Sequence, residues 1–141
     1  MTEPLLIPIT VYRDLRGELR YCNEFDLSSF KRFYSIGFGA SDQIRAWQAH
    51  KIEMKSIIPI QGITKVVLVR IADFDNRIAS EVYEFTLDSK IPEVLLVPRG
   101  YANGFQSKTV DASMMIFSNL SVEESKNDDF RFEKDEFYNW R

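Results

Sequence analysis

The chain contains one histidine, His50, within a polar stretch that runs from Arg45 to Lys55. Imidazole is the side chain whose ordinary pKa lies nearest to neutrality, so His50 is the first candidate for a general base. Burial can tune a carboxylate to the same task, which makes Glu53 a reserve candidate. A lone histidine is more often a structural hydrogen-bonding residue, so its surroundings must decide between the two roles.

Residues Gln43 to Ile52 are predicted to form a β-strand, in which alternate residues face opposite sides. Arg45 shares one side with Trp47, Ala49 and Lys51. The other side carries a different set, namely Ala46, Gln48, His50 and Ile52. A shift near Glu53 would let Lys55 rejoin the side of Gln48 and His50. The pattern therefore predicts that amide, imidazole and amine groups meet on one face.

The remaining sequence predicts strands rather than helices. Eleven Phe and six Tyr in 141 residues favour β-structure. About nine to eleven short extended runs, of which the first is Leu5 to Arg13, are separated by turn residues and are typical of an all-β sandwich or barrel. The segment Val122–Asp129 is charged and predicts a short helical turn. The aromatic tail that follows is expected to pack on the barrel or on a second subunit.

Composition excludes several classes of function. The net charge of −3 gives no sign of a nucleic-acid binder. The lone Cys22 cannot form an internal disulfide, and the N-terminal residues lack the pattern of a signal peptide or membrane span. We therefore expect a cytoplasmic protein with one domain over residues 1–141 and no membrane partner.

Two spaced motifs resemble those of the cupin superfamily. Gln48-Ala49-His50, Lys55 and Gly62 follow the spacing of its first motif, His-x-His, Glu and Gly. Pro98-Arg99-Gly100-Tyr101-Ala102-Asn103 follows its second, Pro-x-Gly-x-x-His. The resemblance implies a double-stranded β-helix, or jelly roll. Of the four positions that hold metal ligands in that superfamily, only His50 keeps a competent ligand, so no metal or other cofactor is expected.

The chain further resembles the dTDP-sugar 3,4-ketoisomerases and the related dTDP-4-dehydrorhamnose 3,5-epimerases. The matching segments follow in order along the chain: Asp14–Leu19, Phe30–Ile36, Arg45–Lys51, Val97–Phe105 and Asn127–Asp129. Gln48 stands where these families have the first histidine of His-Ala-His, and Ala46 stands where they have glycine. No tyrosine lies near Leu120, where the epimerases have one.

The resemblance implies an isomerase of deoxysugar biosynthesis that moves a proton next to the ketone of a dTDP-4-keto-6-deoxy sugar. His50 would be the base and Tyr34 the proton donor, while Gln48 and Asn103 would hold the sugar or the enolate oxygen. The other predicted substrate-binding residues are Arg32, Arg45 and Lys51 for the diphosphate, Tyr101 for stacking, and Glu53 and Lys55.

Two alternatives stay open. One is a cupin that binds a sugar nucleotide without turnover, and the other is a metal-dependent cupin such as a dioxygenase. We also expect a homodimer, because the first strand is apolar, the tail is aromatic, and the families that the chain resembles pair through swapped or shared sheets.

Overall fold

The computed structural model describes all 141 residues. It contains twelve strands and one short helix. In chain order these are β1 Leu5–Pro8, β2 Thr10–Asp14, β3 Gly17–Tyr21, β4 Arg32–Gly37, β5 Ile44–Ala49, β6 Lys55–Gln61, β7 Ile63–Asp73, β8 Ile78–Asp88, β9 Glu93–Val97, β10 Tyr101–Ser107, β11 Ser113–Ser118, α1 Val122–Ser125 and β12 Phe130–Arg131.

Two five-stranded antiparallel sheets face each other. The first has the order β1-β9-β6-β11-β4 and the second β12-β5-β10-β7-β8, while β2 and β3 form a separate hairpin. Buried apolar side chains of both sheets meet between them, among them Ile57 and Met114 from the first and Leu68 and Phe105 from the second. This arrangement confirms the predicted all-β jelly roll.

Two predicted strands have different bounds in the structure. The run from Leu5 to Arg13 was expected to be continuous, but it divides at Ile9, because β1 pairs with β9 and β2 pairs with β3. The strand predicted to reach Ile52 ends at Ala49. The predicted helical turn is present as α1, with a capping box between Ser121 and Glu124.

The aromatic tail packs on the outer face of the second sheet, which is one of its two predicted positions. The Trp140 ring lies 5.2 Å from the Trp47 ring and 4.8 Å from the Tyr138 ring. Both indole nitrogens donate to the carbonyl of Lys134. The tail therefore contributes to the fold of its own chain, and it no longer serves as an argument for a dimer.

No helix in the structure combines the length and the apolar content that crossing a membrane requires.

Candidate active site

A cavity of about 740 Å³ opens beside β4, β5, β6 and β10 and is bordered by α1 and β12. Eight of the ten site residues predicted from the sequence line it: Arg32, Tyr34, Arg45, Gln48, His50, Glu53, Lys55 and Asn103. The strand alternation explains part of this grouping, because Gln48 and Asn103 occupy neighbouring positions of the paired strands β5 and β10. Arg45, which the alternation placed on the opposite side, lines the same cavity, and the register of β5 with β10 shifts in this region. Lys55 begins β6 and contacts Gln48, as the predicted shift near Glu53 requires.

Lys51 and Tyr101, the other two predicted residues, lie outside the cavity. The amine of Lys51 lies near the rings of Phe74 and Phe130, at 5.3 and 5.0 Å from their centroids. Tyr101 is buried in the core, and its hydroxyl donates to the Thr2 carbonyl and accepts from Arg70. Neither side chain is placed to touch a ligand in the cavity, so both assignments to substrate binding are wrong for this cavity.

His50 lies at the end of β5 with its ring almost completely buried. Nδ1 is 2.6 Å from the Asp128 carbonyl oxygen, and Nε2 is 2.8 Å from Oε2 of Glu53. The second contact is short, but its direction departs from that of an in-line hydrogen bond. Since an acceptor faces each ring nitrogen, neither nitrogen presents a lone pair to the cavity in this arrangement.

Glu53 is the anionic centre of the site. Its buried carboxylate accepts from Ser118 Oγ at 2.5 Å and from Arg32 at 3.3 Å. Burial by itself would raise the pKa of Glu53, but the close contact with His50, the charge of Lys55 and the Ser118 hydroxyl lower it to about 2. A carboxylate with so low a pKa stays ionised and is a weak base, which disfavours the reserve role considered for it.

Lys55 lies beside Glu53, with its side chain only 2 % exposed. Its Nζ donates to Gln48 Oε1 at 3.2 Å and to Asn103 Oδ1 at 3.3 Å, and it is 3.6 Å from Glu53 Oε2. Burial lowers the pKa of Lys55 to about 8, although the charge of Glu53 acts in the opposite direction. We call Gln48, Glu53, Lys55 and Asn103 the cavity floor.

The cavity floor does not suit a divalent metal. The four cupin ligand positions hold Gln48, His50, Lys55 and Asn103, and the Lys55 amine already donates to two of the others. No group of three or more His, Cys, Asp or Glu side chains is placed to hold a metal ion. An ammonium at this point would repel a cation and would occupy the amide oxygens that could bind it.

Tyr34 on β4 is partly buried at the side of the cavity. Burial, and then the negative charge of Glu53, raise the pKa of its hydroxyl to about 12. The guanidinium of Arg32 lies 5.3 Å from its ring. The phenol therefore stays protonated throughout the neutral range, which suits a hydrogen-bond donor.

Two aspartates of the tail complete the site, and the sequence had shown them only as part of a family-like segment. The buried carboxylate of Asp128 accepts the backbone N–H groups of Lys51, Ile52 and Glu53, at 2.7, 3.0 and 2.7 Å. These bonds hold the turn between β5 and β6. Asp129 accepts from the amide of Gln48 at 3.1 Å and so orients its oxygen toward Lys55.

Three exposed cations, Arg45, Lys126 and Arg131, surround the cavity floor, and we call them the rim. Arg131 forms a two-point contact with Asp129, at 2.8 and 3.2 Å, whereas Arg45 makes no ion pair. Together with Arg32 and Lys55, the rim gives the cavity five lysine and arginine side chains. Only two carboxylates, those of Glu53 and Asp129, line it. The excess of positive charge favours an anionic ligand.

Comparison with family models yields no match, and comparison with curated proteins yields none either. Solved structures do match. A dTDP sugar isomerase from Desulfovibrio desulfuricans is 16% identical with a TM-score of 0.81, and the match covers 97% of this chain and 90% of that one.

Two further structures extend the likeness to both families that the sequence resembles. A 3,4-ketoisomerase from Thermoanaerobacterium thermosaccharolyticum, solved with TDP-4-keto-6-deoxyglucose, is 20% identical with a TM-score of 0.71, covering 94% of this chain and 89% of that one. A dTDP-4-dehydrorhamnose 3,5-epimerase from Bacillus anthracis, with TDP and pyrophosphate bound, is 19% identical with a TM-score of 0.76, covering 95% and 81%. At these identities the fold is what is established, and the chain has the jelly-roll fold of these sugar-nucleotide isomerases and epimerases.

Proposed function

We propose that the protein is a sugar-nucleotide isomerase or epimerase, which transfers a proton next to the ketone of a dTDP-linked 4-keto-6-deoxy sugar. The observation that carries the proposal is a cavity with a cationic rim and a floor of hydrogen-bonded ionisable groups. It occurs in a fold shared with a ketoisomerase that was solved with TDP-4-keto-6-deoxyglucose.

The rim suits the diphosphate of such a substrate. Arginine presents a fork of N–H donors that matches phosphate oxygens. Arg45 is exposed and free of ion pairs, so it loses no partner when it binds an anion. Arg131 and Lys126 lie on the tail side of the cavity, while Arg32 is engaged by Glu53 and the Leu120 carbonyl. We therefore assign the diphosphate chiefly to Arg45, because Arg131 and Lys126 are paired with Asp129 and Glu123.

The cavity floor suits the sugar. Gln48 and Asn103 supply neutral amides, and Tyr34 supplies a hydroxyl that stays protonated. Donors of this kind stabilise the negative charge that develops on a ketone oxygen when the neighbouring carbon loses its proton. Binding and chemistry are thus assigned to different parts of one cavity.

Deuterium exchange tests the proposal. The protein is incubated with TDP-4-keto-6-deoxyglucose in deuterated water, and the sugar is examined by NMR and mass spectrometry. We expect deuterium at a carbon next to the ketone, and we expect Arg45→Ala to weaken TDP binding, since it removes a phosphate contact. Arg13→Ala, on the exposed hairpin, is the matched control. Absence of exchange at high protein concentration would contradict the proposal.

The second candidate is a module that binds the sugar nucleotide without turnover. It is favoured by one specific observation, namely that both nitrogens of His50 face acceptors of the protein. This candidate requires TDP binding that depends on Arg45, without exchange into the sugar. Exchange by the wild-type protein would exclude it.

A homodimer belongs to the same proposal. It is supported by an apolar surface on the first sheet and the adjacent hairpin, where Phe33 is 65% exposed and a groove of about 520 Å³ runs past Tyr21, Leu27 and Ile60. Apolar surface of this kind often marks an interface. A monomer by light scattering at micromolar concentration would contradict it. A cytoplasmic location remains a prediction from sequence.

A further inference from the structure

Proton transfer needs a group that can both take and return a proton near neutral pH. Three ionisable groups of the cavity are poorly suited. The pKa of Glu53 is about 2 and that of Tyr34 about 12. His50 turns its two nitrogens to the Asp128 carbonyl and the Glu53 carboxylate. The arginines do not lose their protons.

Lys55 differs from all of these. Its amine reaches the cavity floor and is held by two neutral amide oxygens, of Gln48 and Asn103. Its one anionic neighbour, Glu53, is farther away at 3.6 Å and is shared with His50 and Arg32. Neutral partners do not hold an ammonium in its charged form as an ion pair would. The amine is therefore placed to exist in both protonation states beside a bound sugar.

We propose that Lys55, and not His50, carries the proton in this site. The inference rests on the proposed function. The neutral Nζ takes the proton from the carbon next to the ketone, and the electron pair of that C–H bond passes into an enolate. The resulting ammonium lies on the face from which the proton was taken, and it returns the proton to the adjacent former ketone carbon. The hydroxyl proton of the deprotonated carbon passes to the former ketone oxygen, so the ketone moves by one carbon and no oxidant or reductant is consumed.

The surroundings of Lys55 set the pH dependence. Glu53 faces it from the turn before β6, Arg32 from β4 and Arg131 from β12, while His50 contacts Glu53 from the end of β5. Burial and the two arginines disfavour the ammonium, whereas Glu53 favours it. Because the effect of burial is the largest, the pKa of Lys55 falls to about 8. Since the neutral amine is the base, the exchange rate should increase with pH to a midpoint near that value.

The test compares Lys55→Arg with Lys108→Arg, an exposed lysine paired with Asp42 outside the cavity. Arginine keeps the positive charge but cannot act as a base. Deuterium exchange into TDP-4-keto-6-deoxyglucose is expected to fall about 100-fold or more in Lys55→Arg, the size of a lost acid–base group, and to stay unchanged in Lys108→Arg. TDP affinity reports whether each variant still folds and binds.

Each outcome separates the two proposals. If the wild-type protein gives no exchange, the proposed function is wrong and the role of Lys55 falls with it. If the wild-type protein exchanges and Lys55→Arg does so equally fast, only the role of Lys55 is wrong. A ¹⁵N NMR titration of the lysine amines in the wild-type protein decides the case in which Lys55→Arg does not fold. A Lys55 midpoint near 8 supports the inference, and a midpoint near the ordinary 10.5 overturns it.

Discussion

The two faces of strands β5 and β10 differ in the polarity of the side chains that they bury. Their inner face presents Gln48 and Asn103 to the cavity, where polar groups are buried around Lys55. Their outer face presents Trp47 and Gly104 to the aromatic tail, where packing is apolar. The comparison indicates a division of labour within the same strands, in which the outer face supplies stability and the inner face retains charges that function needs.

The largest effect should come from removing the centre of the outer face. Trp140→Ala deletes a buried ring that packs on Trp47 and Tyr138. We expect the free energy of unfolding, measured with urea, to fall by about 4 kcal/mol because a cavity replaces the ring. Since the inner face is untouched, TDP affinity of the folded protein should not change.

Trp140→Phe is the matched control, because it keeps an aromatic ring while it loses the hydrogen bond to the Lys134 carbonyl and one ring of the indole. It should destabilise the protein less than Trp140→Ala. A loss of TDP affinity in folded Trp140→Ala would show that the two faces are not independent.

A smaller effect is expected where the sheet approaches the tail most closely. A Cβ atom at Gly104 would lie 2.7 Å from ring atoms of both Trp140 and Trp47. Gly104→Ala should therefore lower the free energy of unfolding by about 2 kcal/mol, through overpacking. Gly37→Ala serves as the control in the same urea experiment, because a Cβ there meets nothing within 4 Å. Equal effects of the two substitutions would contradict the close packing.

The alternation of β5 was the most informative part of the sequence. It grouped Gln48 with His50 and, through the shift near Glu53, with Lys55, and the structure brings these three to one cavity. The same alternation separated Lys51 and Arg45 from that group. Lys51 does lie outside the cavity, but Arg45 lines it, so the alternation was wrong for Arg45. Assigning Lys51 to the diphosphate had followed from the resemblance and not from the strand geometry.

The sequence could not reveal the partners of these residues. Asp128 and Asp129 contact the β5 region across 75 to 81 positions of the chain, so no local pattern indicates that their oxygens hold the turn and orient Gln48. Residue type alone also made His50 the natural base. The structure shows an acceptor beside each nitrogen of His50 and neutral amides around Lys55. These contacts, which the sequence does not show, favour the Lys55 amine as the base.

The smallest expected effect concerns the inner face and depends on pH. The pKa of Lys55 is about 8 in the folded protein, below the ordinary value of 10.5. Between these values the unfolded chain binds a proton that the folded protein has released, so the free energy of unfolding should rise as the pH increases from about 8 to about 9. Lys55→Met removes the titrating amine. The free energy of unfolding of the wild type, measured with urea, should therefore increase by about 1 kcal/mol relative to that of the variant over this pH range. Other lysines and tyrosines titrate in both proteins and cancel in the difference. If the difference in free energy of unfolding is constant with pH, Lys55 titrates normally. The ammonium of Lys55 on the inner face would then not lower the stability of the folded protein.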